Sequence, residues 1–439
     1  MPADPRLKAQ VELILNSHKD AVAFPDRWEE VGDVDYLYRK NTILVRERDE
    51  ARVIDALLRI LGHRREREIE RRRVGAVVRI TVTRTRLSVP EILDALERDP
   101  EVGHDKATPD HVTFVCPHPC PATEPGEVPL GTSAPFPPPG MSAPRGCREH
   151  WGHRCGCDGD GVRVSILDTG LLPDAPHDHP WLAGVHGTPE DPIDPRTGNI
   201  RPYAGHGTFV AGCLRVAAPK ASVFVEHAFD IAAARFESDL APILEDALSR
   251  SPDILVFTFT ASCRRNRSLL TFEDFYERRI RPVKSPVVVA PAGNDGRPRL
   301  MYPAASRGVV SVGALSAGWR DRAHFSNHGS WVDVYAPGED LINAFATGTF
   351  VCHEPPVGQR RQFQGMARWS GTSFSTPIVA GLIAARMSAT GESGRQAARS
   401  LLRLGRSQAV PGVGAVLYPG QACCDPGGCH GRRADGPSM

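Results

Sequence analysis

Apolar positions in the first hundred residues recur at two different periods. In Glu50 to Leu61, residues Val53, Ile54, Leu57, Leu58 and Leu61 share one face at helical spacing, which predicts an amphipathic helix packed on a core. Arg6 to Ala21 predicts another short amphipathic helix, and Ser88 to Glu97 (SVPEILDALE) a third. Asn41 to Arg46 (NTILVR), Ala76 to Thr83 (AVVRITVT) and His111 to Val115 read as strands. If the charged stretch HRREREIERRRV hides a hairpin strand, the order is βαββαβ, the ferredoxin-like plan. Arg71 to Arg73 within that stretch read as a solvated strand edge rather than a binding patch.

From Pro117 the pattern dissolves into PHPCPATEPGEVPLGTSAPFPPPGMSAPRG. So many prolines cannot donate to a ladder and favour an extended path, so this stretch reads as a linker. Beyond it, Gly161 to Leu167 (GVRVSIL) is a continuous apolar run, as expected of a strand buried on both faces. Ser222–Glu226, Ile254–Phe259, Pro286–Ala290 and Val309–Val312 repeat the theme, with helical patterns between several of them, Asp239 to Ser249 for one. Strands alternating with helices predict an α/β fold with a mainly parallel sheet. The expected plan is a helical extension over 1–39, a small α+β domain over 40–116, a linker over 117–159, a large α/β domain over 160–405 and a tail over 406–439.

Functional groups in such sheets gather beyond the carboxyl ends of the strands, and polar residues stand there. Asp168 follows the first strand of the large domain in LDTG, His206 opens a helical stretch in GHGTFVAG, and Ser373 precedes an apolar helix in GTSFSTPIVAG. A nucleophile, a base to take its proton and a carboxylate to orient that base are what acyl transfer requires. Asn294, in VVVAPAGNDG, adds a side-chain N–H able to face a developing oxyanion. Each motif alone is a common turn or cap; their joint occurrence in order is the signal.

In type, order and context, these segments resemble the subtilisin-like (S8) serine proteases, whose Asp, His, Ser chain order they share. YPAA at Tyr302–Ala305, VVSVGAL at Val309–Leu315 and FSNHGSWVDVYAPG at Phe325–Gly338 extend the resemblance over roughly 160–390. It implies a three-layer subtilisin-like fold and a serine endopeptidase with Ser373 as nucleophile, His206 as base, Asp168 as orienting carboxylate and Asn294 as oxyanion donor. ALERDPEVGHDKATPDHV is similar to the end of the inhibitory pro-domains of that family. It implies a zymogen whose N-terminal domain is an intramolecular inhibitor, with self-cleavage in the linker. A non-catalytic peptide-binding pseudo-protease or adaptor is the rival reading.

The resemblance also places a substrate-binding set at Thr258, Phe259, Thr260, Ala292, Gly293 and Met301. The stretch ILVFTFTASC lacks the glycines usual at that cleft edge, which implies a narrower cleft. Met301 stands at the floor of the primary specificity pocket, which implies a shallow pocket for small or medium apolar side chains. The long segment from Phe345 to Arg368, with RRQFQ at 360–364, reads as a solvated loop.

Composition narrows the partners. Lys and Arg total 53 against 52 Asp and Glu, a formal charge of +1, which gives no global attraction to nucleic acid or anionic membrane. The expected partner is a protein or peptide substrate. No unbroken apolar signal segment is visible near the start and the eleven cysteines are odd in number, which together favour a reducing cytoplasm. No cofactor is required by this chemistry. Asp174, Asp178, Glu190, Asp191 and Asp194 are oxygen ligands of the kind calcium takes, without a loop signature to fix them. Cys423, Cys424, Cys429 and His430 carry zinc-ligand atoms at irregular spacing and read as an ordinary tail rather than a metal site. Cys213 and Cys263 read as buried packing residues.

Overall fold

The computed structural model describes residues 5–31, 33–62, 67–115, 124–136 and 157–421. Its N-terminal unit is an antiparallel sheet built from β1 (Ala21–Phe24), β2 (Tyr36–Arg46), β3 (Ile69–Val74), β4 (Val77–Val82) and β5 (Ala107–Phe114). The strands run in the order β3–β4–β2–β5, with β1 paired to the first half of β2. The charged stretch does hide the hairpin strand: Arg71 pairs with Ile80 and Arg73 with Val78, completing the βαββαβ order. Helix Glu50–Leu61 has the expected bounds, and helix Val89–Arg98 starts from a Ser88 cap reciprocated by Glu91. Val53, Ile54, Leu57, Ile92, Leu93 and Leu96 join Ile43, Val45, Val78 and Ile80 in one core.

β2 begins at Tyr36, earlier than Asn41 and within the expected extension, and two further expectations for this unit need correction. The first helix ends at Ser17, because Ala21–Phe24 pairs with Tyr36–Arg39 as a strand instead of continuing the helix. β5 begins at Ala107, earlier than His111. Its KATPDH stretch lacks alternation because both faces are buried, Thr108, Asp110, His111 and Thr113 among them.

The second unit holds a parallel sheet of β6 (Arg163–Asp168), β7 (His186–Gly187), β8 (Ser222–His227), β10 (Ile254–Phe257), β11 (Val287–Pro291), β12 (Val309–Leu315) and β13 (Val334–Pro337). Their order is β13–β12–β11–β10–β6–β8–β7. β6 lies between β8 and β10, and the chain runs from it first to β7 and β8 on one side and then to β10–β13 on the other, so Asp168 leaves the sheet at the crevice where such sheets bind ligands. Helices His206–Ala217 and Thr372–Thr390 pack so closely that a Cβ on Gly381 would stand 2.7 Å from the Leu214 carbonyl oxygen. Gly-to-backbone contact of this kind sets the distance between the two helices that carry His206 and Ser373.

The segment expected to be a solvated loop is instead an antiparallel hairpin, β14 (Leu341–Val351) and β15 (Arg360–Trp369). Phe350, Phe363 and Trp369 are buried on it, which supplies the hydrophobic face that a free loop would lack. Part of the Pro-rich segment is fastened to this hairpin: Gly126 exchanges backbone hydrogen bonds with Arg368, and the Phe136 N–H donates to the Ile342 carbonyl. Cys116, Cys120, Cys147, Cys155, Cys423, Cys424, Cys429 and His430 lie outside the described residues. Cys213 and Cys263 are buried free thiols, as expected, and Cys157 is disulfide-bonded.

The two units are joined through β5, which pairs with β9 (Ala234–Phe236) of the second unit. Beside this pairing runs a buried polar seam. Asp110 accepts from the Ser238 N–H at 3.0 Å and the Ser238 hydroxyl at 2.8 Å, with Arg39 at 3.3 Å. His111 Nδ1 lies 3.0 Å from Glu237 Oε1, and His111 Nε2 accepts from the Arg264 N–H at 3.1 Å.

Burial pushes the Asp110 carboxyl up to about 7, against the pull of Arg39 and with a contribution from Glu237. A folded-state value above the unfolded one means the native state holds a proton that the unfolded chain gives up. Stability from this group is therefore full below about pH 4 and is lost as pH rises through 7. Asp110→Asn removes the titration but keeps the shape. Its melting midpoint relative to the parent is expected to rise between about pH 4 and 7 and to level off above that; a gap that stays constant with pH contradicts this account.

Candidate active site

Asp168 closes β6 with its side chain buried, and both its carboxylate oxygens lie 2.9 Å from His206 Nδ1. Oδ1 also accepts from the Thr169 N–H at 2.7 Å, which fixes the carboxylate in the turn that follows the strand. His206 starts its helix directly after Gly205, whose φ of 79° lies in the left-handed region glycine tolerates. The imidazole is fully buried and is packed against Trp369 and Phe374, with ring centroids at 5.2 and 5.0 Å. Two aromatic walls and one carboxylate leave the ring a single orientation.

Ser373 stands in the first turn of helix Thr372–Thr390, where the exposed N–H groups and the dipole favour negative charge. Its Oγ is 3.1 Å from the Val115 carbonyl oxygen and 3.2 Å from the Thr258 carbonyl oxygen. His206 Nε2 is buried and has no hydrogen-bond partner among the described residues. The Asp–His half of the arrangement is therefore closed, and the His–Ser half is open. Asn294, 1% exposed, is oriented by Thr372, whose N–H and hydroxyl both donate to its Oδ1, at 2.9 and 2.8 Å. That commitment of the oxygen decides which end of the amide carries its N–H groups.

The predicted substrate-binding residues separate into two kinds. Thr260 exchanges both backbone hydrogen bonds with Phe114, at 2.9 and 3.0 Å, and so offers a strand edge. Thr258 directs its carbonyl to Ser373 and its hydroxyl to the Leu167 carbonyl. Phe259 contributes backbone alone, since its ring is buried against Phe257 and Phe229 at 5.1 and 5.2 Å. The glycine-poor edge therefore still admits a strand: Phe259 is turned into the core and Thr258 back toward β6. Ala292 is buried and donates to the Val312 carbonyl. Gly293 donates to the Thr372 hydroxyl at 3.2 Å, and a Cβ there would crowd Asn327 Nδ2 and Met301 Cγ at 2.8 and 2.9 Å. Met301 is buried in one apolar cluster with Val112, Phe114 and Phe236.

Two residues not named among the expected site residues complete the site. Val115 brings a peptide carbonyl to the Ser373 hydroxyl, and Thr372 orients Asn294. The glycine-threonine-serine run flags Thr372, whereas Val115 is identified only once β5 is seen between β9 and Thr260. The acidic residues considered for calcium do not converge. Asp178 faces His177, Asp194 caps the Arg196 N–H, and Asp191 accepts from Ile193. Among the described residues there is no group of three or more His, Cys, Asp or Glu placed to hold a metal ion. No described helix is long and apolar enough to cross a membrane.

Residues 159–405 match the family model described as the subtilase family, Peptidase_S8. Among curated proteins, subtilisin-like protease 2 of Arthroderma benhamiae is 31% identical over 246 residues, covering 52% of this chain and 51% of that protein. The chain thus spans about half the length of that relative. M-protease of Shouchella clausii is 27% identical over 330 residues, 73% of this chain and 72% of that protein. Among solved structures, fervidolysin from Fervidobacterium pennivorans, described as a keratinolytic enzyme related to subtilisin, superposes with a TM-score of 0.56 at 18% identity. That match covers 88% of this chain and 61% of the other, and it shows that the fold is shared.

A close backbone contact behind the site is at Gly207, where a Cβ would stand 2.3 Å from the Gly170 carbonyl oxygen and 3.2 Å from Asp168 Cβ. Gly207→Ala must push the His206 helix off the Asp168 turn, an overpacking cost of about 1–3 kcal/mol. Urea unfolding measures it; a stability equal to the parent's contradicts the close approach.

Proposed function

The chain belongs to the subtilase family, and on that premise we propose that it is a serine endopeptidase working through an acyl-enzyme on Ser373. One observation carries the reading: an Asp168–His206 pair stands beside a helix-terminal serine on which a peptide carbonyl is seated at 3.1 Å. In the proposed cycle the Ser373 hydroxyl turns from the carbonyl oxygens to His206 Nε2 and gives up its proton as Oγ attacks the substrate carbonyl carbon. Asp168 holds Nδ1 protonated and stabilises the imidazolium. The charge that develops on the substrate oxygen meets the Ser373 N–H and the Asn294 amide. His206 then protonates the departing amine, and water, deprotonated by the same nitrogen, releases the acyl group.

The second element of the proposal is that residues up to Val115 form an intramolecular inhibitor. β5 fills the cleft as a middle strand between β9 and Thr260, the mode in which an extended peptide adds to open edges. Its register supports a cut at the peptide bond following Val115 or at the next one, rather than deep in the Pro-rich segment. Bound in this way, the strand occupies the place a substrate needs.

Intact-mass measurement of the purified chain checks both elements. The wild type is expected as two fragments divided at Val115 or one residue beyond, and Ser373→Ala as a single uncut chain hydrolysing no peptide. Equal processing in the two would sink the autocatalytic reading. Fluorophosphonate labelling that persists in Ser373→Ala would sink the nucleophile assignment. Asn294→Ala is expected to lower kcat by about 10² to 10³ with little change in KM, as for loss of one oxyanion donor.

A further inference from the structure

A second buried carboxyl stands behind the Asp168–His206 pair. Glu190 follows the short β7 and is 8% exposed. Its Oε2 accepts from the Gly205 N–H at 3.0 Å. The Thr169 side chain lies beside it, and the Thr169 hydroxyl accepts from the Gly207 N–H at 3.1 Å. The two backbone N–H groups on either side of His206 are thus held by two side chains, Glu190 and Thr169. Thr169 is the residue next to Asp168, so one short chain of hydrogen bonds ties the carboxylate turn to the histidine turn.

The position of Glu190 is itself fixed. Its N–H donates to the Leu171 carbonyl at 2.9 Å, and a Cβ on Gly170 would stand 3.3 Å from Glu190 Cβ. Burial pushes its carboxyl well above the usual carboxylate range, and the neighbouring Asp168 adds to the effect. A group in that state is a hydrogen-bonding wedge more than a charge. The first N–H groups of a helix have no partner within the helix, and Gly205, in its left-handed conformation, presents its N–H directly to the acid.

We propose that Glu190 is a positioning residue for catalysis, which holds the Gly205 N–H and thereby fixes the turn from which His206 reaches Asp168. It touches neither substrate nor reacting atoms. The proposal rests on the reading of His206 as the general base. Its specific content is that the hydrogen-bond acceptor at position 190 matters and the negative charge does not.

Glu190→Gln keeps the acceptor and the shape, whereas Glu190→Met keeps the volume and removes the acceptor. With kcat expressed per active site titrated by fluorophosphonate, Glu190→Met is expected to lose about 10- to 100-fold, the scale of a small misplacement of a catalytic group. KM is expected to stay within about twofold, because no substrate contact is lost. Glu190→Gln is expected to retain kcat within about threefold. Wild-type kcat in Glu190→Met overturns the proposal, and so does a loss in Glu190→Gln equal to that in Glu190→Met. Should Glu190→Met fail to fold, Glu190→Asp, one methylene short of the Gly205 N–H, takes its place with the same expectation. The downfield proton resonance of His206 Nδ1–H, recorded in the uncut Ser373→Ala background, separates this inference from the enzymatic reading. It should persist with Gln at 190 and be lost or broadened with Met, whether or not the wild type hydrolyses peptide; persistence in both overturns the proposal.

Discussion

An open strand edge in a cleft presents backbone N–H and C=O groups that must be paired, by water, by a ligand or by more chain. Here Ala234–Phe236 and the segment from Thr258 to Thr260 present two such edges that face one another, and β5 satisfies both. Much else follows from this pairing. It buries the polar side chains of β5 on both faces, and Asp110, His111 and Thr113 find partners in the second unit, at Ser238, at Glu237 with the Arg264 N–H, and at the Arg235 carbonyl. It also fixes the register along the cleft, which is what delivers the Val115 carbonyl to Ser373.

Around that pairing, ion pairs determine how the N-terminal unit is oriented. Glu97 meets Arg264, Arg265 and Arg267, and these arginines hold its carboxyl below the usual range against the opposing effect of burial. The exposed pairs contribute little each, whereas Glu97 and Arg264 are both buried, and for all of them direction matters more than number. They lie to one side of the strand, on the helix Val89–Arg98, and stop the sheet from pivoting about β5. On the other side Arg297 pairs with Asp33, and Arg299 donates to the Val34 carbonyl. The strand is held at its middle by backbone bonds and at its flanks by charge.

The sequence discloses most where a rule is local. Helix Glu50–Leu61 is legible because five apolar residues fall on one face, and Ser88 because its cap partner Glu91 is three residues away. Asp168, His206, Asn294 and Ser373 are legible because each sits in a small-residue motif at the end of an apolar strand or the start of a helix. What escapes is what tertiary partners decide. The KATPDH run of β5 reads as irregular because its polar side chains are buried against another unit, which no periodicity reports. The hairpin β14–β15 reads as a loop because its inward residues, Phe345, Phe350, Phe363 and Trp369 among them, are interrupted by Gly and polar positions and a bulge that break the strand alternation. Glu190 reads as one of several acids after β6; its burial against Gly205 is a fact of folding and not of spacing.

The open His–Ser half of the site has a simple physical cause. A serine hydroxyl has one hydrogen, and here it is directed at carbonyl oxygens of Val115 and Thr258 while His206 Nε2 faces none. Removing Val115 takes away one of the two competing acceptors, and it is the one that belongs to the N-terminal unit. On the proposed reading, occupancy of the cleft thus suppresses activity twice, by excluding substrate and by diverting the proton that His206 must receive. The aromatic walls of Trp369 and Phe374 keep the imidazole from turning to compensate, and the Asp168 turn keeps its other nitrogen engaged. The serine is therefore the one movable member of the arrangement, and the strand that reaches it governs which way its hydrogen points.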